Sequence, residues 1–492
     1  MLMQSEFRST AFINGEEVDR EQRIKRENPA NPEEIVGSVP DCTRADAKMA
    51  IEKADEAFQS WSKLSLDERL QYIMAGLAKV GEKGSELAPL LAREHGKVVT
   101  DAFGEMMFAA ILTQQNAEMI RQFEFERAYE DEMGKMVSRR VPYGVVSAIT
   151  PWNYPIVLAF GKIAPALVTG NTMVLKPSPF APLAVSELAQ AFARELPKGV
   201  LNVLHGGPEV GEEMTTNPKV AKISFTGGVK TASAIMRSAA EGIKKVTFEL
   251  GGNDPAIFLE DADLSDRSML KLVVGTFLTT GQICMAAKRI YVHESIYERF
   301  LEAYIAKCNE WIKIGDPLAD GATMGPLNNL NQKKYVQELV EDARSRGAKV
   351  VEVGQVLDES AFARGYFLKP TVVTNVDHSF RIVGEEQFGP TIPVMPFKTE
   401  EEVIAKANDT DLGLGSSVWS ADRERAIRVA RQIEAGYTFI NTHSLGGLDL
   451  RAPFGGCKKS GIGVEGGMEV FMDYTRTHVI NAPNDGLLPG IE

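Results

Sequence analysis

Cys284 lies in Thr279-Thr280-Gly281-Gln282-Ile283-Cys284, about a helix's length after Glu249-Leu250-Gly251-Gly252-Asn253. A free thiol, with a pKa of about 8.5, is only a few per cent thiolate near neutrality, so a nucleophilic cysteine needs a base, a cation or a helix N-terminus beside it. Glu249 supplies the candidate base. It ends a predicted strand, and the two glycines soon after it let the chain turn tightly and other groups come close. A carboxylate partly withdrawn from water there has a raised pKa, which suits proton abstraction. Upstream, Asn153 in Pro151-Trp152-Asn153-Tyr154-Pro155 offers an amide N–H to an oxyanion, and the Cys284 backbone N–H offers a second donor. Thiol, carboxylate and amide together fit covalent chemistry on a carbonyl. Taken singly they say less: Glu249 reads as a surface carboxylate at a strand end, and Asn153 as a turn residue between prolines.

The elements that must position these groups alternate from residue 144 onward as strands and helices, the pattern of a parallel sheet. Strands are predicted at 145–150, 172–175, 200–204, 222–225 and 245–250, and helices at 156–168, 183–194, 210–214 and 231–240. That is a doubly wound sheet, whose ligands bind at the carboxyl ends of its strands, where Pro151-Trp152-Asn153, Lys176, His205, Thr226-Gly227-Gly228 and Glu249 fall. Phe225-Thr226-Gly227-Gly228 leaves a strand and opens a helix, so its backbone N–H groups could face a pyrophosphate. A literal G-x-G-x-x-G at Gly461, Gly463 and Gly466 has no strand before it and is set aside as a loop, and Gly413-Leu414-Gly415 is no stronger. A second α/β block starts near Asp261, with helices expected at 265–277, 297–311 and 332–346 and a strand at 290–293. The charged, extended stretches 125–141 and 473–479 fit neither block and read as a small separate sheet or an oligomer contact.

The 492 residues are 44% hydrophobic and 25% charged, enough chain for two or three domains with their own cores. With 67 acidic against 54 basic side chains the formal net charge is -13, which works against binding nucleic-acid phosphates. The most apolar stretch, 156–168, is interrupted by Lys162 and Pro165 and falls well short of the ~20 residues of a membrane span. The four cysteines, Cys42, Cys284, Cys308 and Cys457, show neither a C-x-x-C pair nor metal-ligand spacing, so no disulfide framework and no metal is expected. Cys42 and Cys308 read as small buried hydrophobes. The N-terminus mixes Glu6, Arg8, Glu16 and Glu17 without an apolar segment, and Pro489-Gly490-Ile491-Glu492 matches no sorting address, which leaves the cytoplasm as the expected location.

Seven segments in one order resemble the aldehyde dehydrogenase superfamily over nearly the whole chain. They are Pro151-Trp152-Asn153-Tyr154-Pro155, Leu175-Lys176-Pro177-Ser178, Phe225-Thr226-Gly227, Glu249-Leu250-Gly251-Gly252, Gly281-Gln282-Ile283-Cys284, Glu385-Glu386-Gln387-Phe388-Gly389-Pro390 and Pro453-Phe454-Gly455-Gly456. The expected fold is two doubly wound, Rossmann-like α/β domains with a small β oligomerisation element. The cofactor-binding domain takes 1–123 and 144–251, the catalytic domain 252–452, and the oligomerisation strands 124–143 and 470–485, with 453–469 returning to the cofactor-binding domain. The resemblance implies that Cys284 attacks an aldehyde while Asn153 and the Cys284 N–H hold the oxyanion. Hydride then leaves for the nicotinamide, and Glu249 serves as base for hydrolysis of the resulting thioester. It further implies that Lys162 and Glu465 relay the proton, that Glu386 and Phe388 position the nicotinamide ribose and ring, and that Lys176 meets the adenosine ribose. Thr226, Gly227 and Gly228 lie near the pyrophosphate, and Thr150, Pro151, Trp152, Ser178 and Leu250 complete the cofactor set. Glu249 favours release of a carboxylic acid over acyl transfer to coenzyme A.

Where many relatives carry Lys-Pro-x-Glu, this chain has Lys176-Pro177-Ser178-Pro179. Pro179 accepts no ribose hydroxyl bonds and does not repel a 2'-phosphate, so NAD and NADP both stay open as cofactor. Gly228, Ala232, Thr280 and Gln387 also depart from common choices, without touching the catalytic trio. By the same resemblance the substrate pocket is expected to comprise Trp152, Tyr154, Ile283, Met285, Phe454 and the loop 443–451 with His443 and Arg451, and its Tyr154 and Met285 favour an aromatic or medium-length apolar aldehyde. The expected partners are that small molecule and further copies of the chain, as a homodimer or homotetramer. An acyl-transferring or reductive relative is one alternative; a catalytically idle cofactor-binding scaffold is another, against which stands the presence of Cys284, Glu249 and Asn153.

Overall fold

The computed structural model describes residues 6–484; the expectation for residues 489–492 and the last position of 470–485 lie outside the described residues. Three helices, α1 (Arg44–Trp61), α2 (Leu66–His95) and α3 (Val99–Met119), come before the parallel strands. Thr43 and Ser65 start the first two with reciprocal side-chain bonds to Asp46 and Glu68, satisfying backbone donors the helix cannot use itself. α2 ends at Gly96, whose φ of 97° lets the chain turn directly toward α3.

The first sheet has eight strands, and its central five run parallel in the spatial order Lys245–Glu249, Val220–Thr226, Val145–Ile149, Thr172–Lys176, Leu201–Val203. Each strand predicted there is present, with ends shifted by one or two residues. Alternate side chains serve opposite faces. Val146, Ala148, Met173 and Leu175 pack in one core with α2, α4 (Pro155–Val168) and α5 (Leu183–Ala193). Val145, Val174, Ile223 and Phe225 pack in another with α1, α6 (Pro208–Thr216) and α7 (Val229–Glu241). Strand order reverses between Val145–Ile149 and Val220–Thr226, where Ile149 pairs with Phe225, so Thr150 and Thr226 leave the sheet side by side at the switch point, the place where such sheets bind ligands.

The second sheet has seven strands, six of them parallel, with Ala287–His293 between Asp254–Phe258 and Thr391–Phe397. Its central strand begins three residues before the predicted 290–293, because Lys288 and Arg289 look like a break in the sequence but are buried and bond main-chain carbonyls. Both sheets are doubly wound, as expected. The stretches near 125–141 and 473–479 form a third, antiparallel sheet of Glu126–Asp131, Gly134–Pro142 and Thr475–Pro483, most of it exposed. Among the described residues no helix is long and apolar enough to cross a membrane.

Candidate active site

Glu249 closes a strand of the first sheet, Asp254 opens a strand of the second, and Cys284 stands just ahead of Ala287–His293. The approach to Cys284 is an unusual backbone: Thr279, Thr280 and Gly281 have φ of 51°, 61° and 71° in succession. A β-branched residue in that region costs of order 1–3 kcal/mol and persists only where its surroundings hold it. Here the hydroxyl of Thr280 donates to Gly325 O at 3.0 Å, that of Thr279 shares a 2.8 Å hydrogen bond with Tyr154, and the Gln282 side chain bridges Thr279 O and the Asn328 N–H. Lys288, also buried, donates to the carbonyls of Ile283 at 2.7 Å and Cys284 at 2.9 Å.

Burial pushes the Cys284 thiol up to about 12, with Lys288 opposing and the charges of Glu386, Asp254 and Glu249 adding to the rise. The thiol therefore keeps its proton until a base removes it. Burial, reinforced by Glu465 and opposed by Lys162, lifts the Glu249 carboxyl well above the usual range, and both its oxygens lack a hydrogen-bond partner among the described residues. Asn153 spends one amide proton on Gln282 O at 3.0 Å. Its second proton and the Cys284 N–H meet no acceptor among the described residues, so two donors stay open beside the sulfur. Lys162, on α4, donates to the Thr226 hydroxyl at 2.7 Å and pairs with Glu465. The Thr226 side chain is thereby engaged by Lys162, and the Gly227 N–H donates to Glu249 O at 3.1 Å, which leaves the Gly228 N–H as the one without an acceptor at this turn among the described residues.

Sequence reasoning missed a second ion pair. Lys97 and Glu105 are fully buried together; the ammonium donates to Asn153 O at 2.8 Å and lies 3.8 Å above the Tyr154 ring. The other Glu105 oxygen accepts the Ile156 N–H at 2.7 Å, in the first turn of α4. A signal existed: Glu105 falls on the face of α3 that buries Ala102, Met106 and Ala109, where a carboxylate needs a partner. Asp254, equally missed, is buried with both oxygens unpartnered among the described residues, and burial raises it to about 7.

On the side of the switch point, Trp152 meets Phe388 edge-on at 5.5 Å, and Phe388 holds a φ of 47°. Glu386 accepts the Gly252 N–H at 3.1 Å, and a Cβ on Gly251 would stand 2.1 Å from its other oxygen, so a larger residue there would displace the Glu386 carboxylate. The Thr150 hydroxyl is buried without a partner among the described residues, and its N–H donates to Lys176 O at 3.1 Å. Burial lowers the Lys176 ammonium to about 8 against the pull of Asp41 and Cys42. Pro151 and Ser178 are half-buried, the Ser178 hydroxyl accepting from the Phe180 N–H at 3.3 Å, while Pro179 is exposed. Gly228 caps the N-terminus of α7 and has open space beyond its Cα, whereas Leu250 is buried and donates its N–H to Ser460 O. An unpartnered hydroxyl, a buried ammonium and an open helix N-terminus together fit the ribose and phosphates of a dinucleotide.

A chamber of about 110 Å³ opens on Cys284, and Asn153, Tyr154, Ile283, Met285 and Phe454 are in its wall. Trp152 and His443 are not. Trp152 faces Phe388, and His443 is buried outside the wall, its Nδ1 bonded to Ser417 Oγ at 2.7 Å and its ring against Phe439. Arg451 is exposed and paired with Asp449. No sequence motif points to α3 as a wall, through Phe108, Leu112 and Asn116, or to Gly161 on α4 facing it.

Comparison with known proteins agrees with this geometry. The family model described as "Aldehyde dehydrogenase family" matches residues 16–480. A glutarate-semialdehyde dehydrogenase of Pseudomonas putida is 40% identical over 480 residues, covering 95% of this chain and 96% of that protein. The NADP(+) succinate-semialdehyde dehydrogenase GabD of Escherichia coli is 38% identical over 480 residues, with 95% and 96% covered. Among solved structures, a betaine aldehyde dehydrogenase from Staphylococcus aureus in complex with NAD+ superimposes with a TM-score of 0.92 at 33% identity, covering 98% of this chain and 96% of that one. Two doubly wound sheets, a cysteine and a bare carboxylate between them, and these matches along nearly the entire length lead to one conclusion: the chain belongs to the aldehyde dehydrogenase family.

Proposed function

We propose that this NAD(P)-dependent aldehyde dehydrogenase is of the hydrolytic type, releasing a carboxylic acid. The observation that carries the reading is Glu249, buried among the groups around Cys284 with two oxygens that bond to nothing among the described residues. An aldehyde has no leaving group, so it must become tetrahedral before it can be oxidised. Cys284 Sγ adds to the carbonyl carbon, its proton passing to a base, and the second Asn153 amide proton and the Cys284 N–H receive the oxygen. NAD or NADP, when bound, supplies the hydride acceptor. Trp152, Glu386 and Phe388 would hold its nicotinamide end, and Thr150, Lys176, Ser178 and the Gly227-Gly228 turn its adenosine and phosphates. Glu249 then takes a proton from water as that water attacks the Cys284 thioester, and Lys162 with Glu465 carries the proton onward. The chain divides accordingly, 1–123 with 144–251 holding the cofactor and 252–452 presenting the cysteine.

Lys176, with no anionic side chain bonded to it among the described residues and with an exposed Pro179 nearby in the chain, supports acceptance of a 2'-phosphate, so NADP is used at least as well as NAD. The chamber wall contains no lysine, arginine or histidine among the described residues, which argues against the acid-bearing semialdehydes in the names of its relatives and for an uncharged, apolar or aromatic aldehyde. The third sheet, with two unpaired edges and with Tyr129, Met136, Val479 and Ile480 exposed, is suited to join copies of the chain as a homodimer or homotetramer.

Glu249→Gln tests the reading. Rapid mixing with aldehyde and cofactor is expected to give at most one turnover of reduced nicotinamide per site, slowed to the extent that Glu249 also takes the thiol proton, and then a steady rate lower by about 10²–10⁴-fold. Steady turnover equal to that of the unaltered protein would show that the acyl group leaves by another route.

A further inference from the structure

The chamber is apolar along Phe108, Leu112, Val157, Leu158, Leu445 and Leu448, and among its polar wall residues Asn116 stands amid this apolar stretch. Asn116, one turn beyond Leu112 on α3, is 4% exposed. Its Nδ2 donates to Leu112 O at 2.8 Å; a carbonyl can only accept, so the amide orientation is fixed and Oδ1 is the atom left over. That oxygen is buried and has no hydrogen-bond partner among the described residues. Leaving a buried acceptor unmade costs about 1–3 kcal/mol, and a ligand that donates to it recovers this, whereas a methyl group does not. No hydrogen bond joins Asn116 to Cys284 or Asn153, so it serves a part of the ligand other than the reacting carbonyl.

Two further observations extend the argument. Glu465 also lines the chamber, with only Oε1 bonded to Lys162, while Asp449 there is spent on Arg451, so the polar atoms left to a ligand's tail are mainly acceptors. Gly161 keeps the space open: a Cβ at that position would already lie 3.5 Å from Leu112 Cδ2 and 3.9 Å from Glu465 Oε2, and anything larger would fill the gap between them.

We propose that Asn116 determines specificity, and that the substrate is an aldehyde with an apolar shaft whose distal end carries a hydrogen-bond donor, a hydroxyl or an ammonium group, received by Asn116 Oδ1. This refines the apolar class above by adding one donor at its distal end, charged in the ammonium case, and rests on the aldehyde-oxidising reading.

The test uses straight-chain aldehydes of equal length ending in methyl, hydroxyl, ammonium or carboxylate, with kcat/KM measured for each on the unaltered protein and on Asn116→Leu. The hydroxyl- or ammonium-ended aldehyde is expected to exceed the methyl-ended one by roughly tenfold, with the carboxylate lowest, and Asn116→Leu is expected to collapse the donor-to-methyl ratio toward one. The ratio of ammonium to hydroxyl tells which donor is meant. Asn116→Asp, which keeps an acceptor if the leucine variant fails to fold, is expected to raise the ammonium-to-hydroxyl ratio. Equal oxidation of methyl and donor tips, or a ratio untouched by either variant, would mean that Oδ1 holds only water and would overturn the proposal while leaving hydrolysis by Glu249 standing. No oxidation of any of the four would overturn both.

Discussion

Two lysine–glutamate pairs engage the helix α4, one fully buried and one with its carboxylate only partly so, and they differ in how completely they are used. In Lys97–Glu105 the polar groups are engaged: one carboxylate oxygen holds the ammonium, the other accepts backbone N–H groups of α4, and the ammonium also grips Asn153 O. In Lys162–Glu465 the ammonium reaches Thr226 and Glu465, the carboxylate borders the chamber, and Glu249 beside them bonds to nothing among the described residues. The same two side-chain types thus make a clamp where their bonds are satisfied and, in the function proposed above, a proton path where they are not. Low dielectric strengthens both, but only the second leaves lone pairs for a reactant.

Breaking the clamp is expected to have the largest effect. Lys97→Met strands Glu105 without its cation, which typically costs 3–5 kcal/mol, seen as a lowered melting temperature, and it frees the Asn153 peptide so that kcat/KM falls as well. Lys97→Arg should restore part of both. If Lys97→Met melts like the unaltered protein, the pair is not a clamp. The relay should respond the other way round: Lys162→Met is expected to lower kcat by about a hundredfold, within the usual range for lost acid–base help, with less effect on melting, because Glu465 reaches the chamber. Equal losses of stability in the two variants would erase the distinction.

Asp254 sharpens the comparison from outside, being a buried acid with no hydrogen-bond partner for either oxygen among the described residues. Burial raises it from 3.8 to about 7, so the folded chain binds more protons than the unfolded one between those values. Its contribution is therefore fully present below about pH 4, declines as pH rises toward 7 and is lost above. Asp254→Asn is expected to raise the melting temperature at pH 8 more than at pH 5; an equal shift at both would place the charge elsewhere. The smallest effect is expected from Pro179→Glu, which touches neither pair. Restoring a carboxylate near Lys176 should move the preference from NADP toward NAD by roughly tenfold, the equivalent of about 1.4 kcal/mol, measured as a ratio of kcat/KM values.

The parts legible in the sequence were those whose chemistry and position are both local. Glu249 ends a strand whose hydrophobic alternation is plain, and Cys284 and Asn153 sit in short segments with their own turn residues, so type and place could be read together. Lys97, Glu105 and Asn116 were hidden because their meaning depends on α3 lying against α4, a relation the local pattern of neither helix contains. The loop that carries His443 does border the chamber, through Leu445 and Leu448, but the histidine itself turns away. The left-handed turns at Asn441 and Ser444, with φ of 56° and 62°, bracket the histidine, and its ring is buried against Ser417 and Phe439.

The threonine run ahead of Cys284 has a consequence for anyone who engineers this enzyme. Two β-branched side chains at positive φ are held by a tyrosine hydroxyl and a distant main-chain carbonyl, so replacement of Thr279 or Thr280 by glycine would relax the backbone locally. A selection for heat tolerance would be drawn to those positions, and the hardier variants it returned would be the ones whose sulfur had lost its aim.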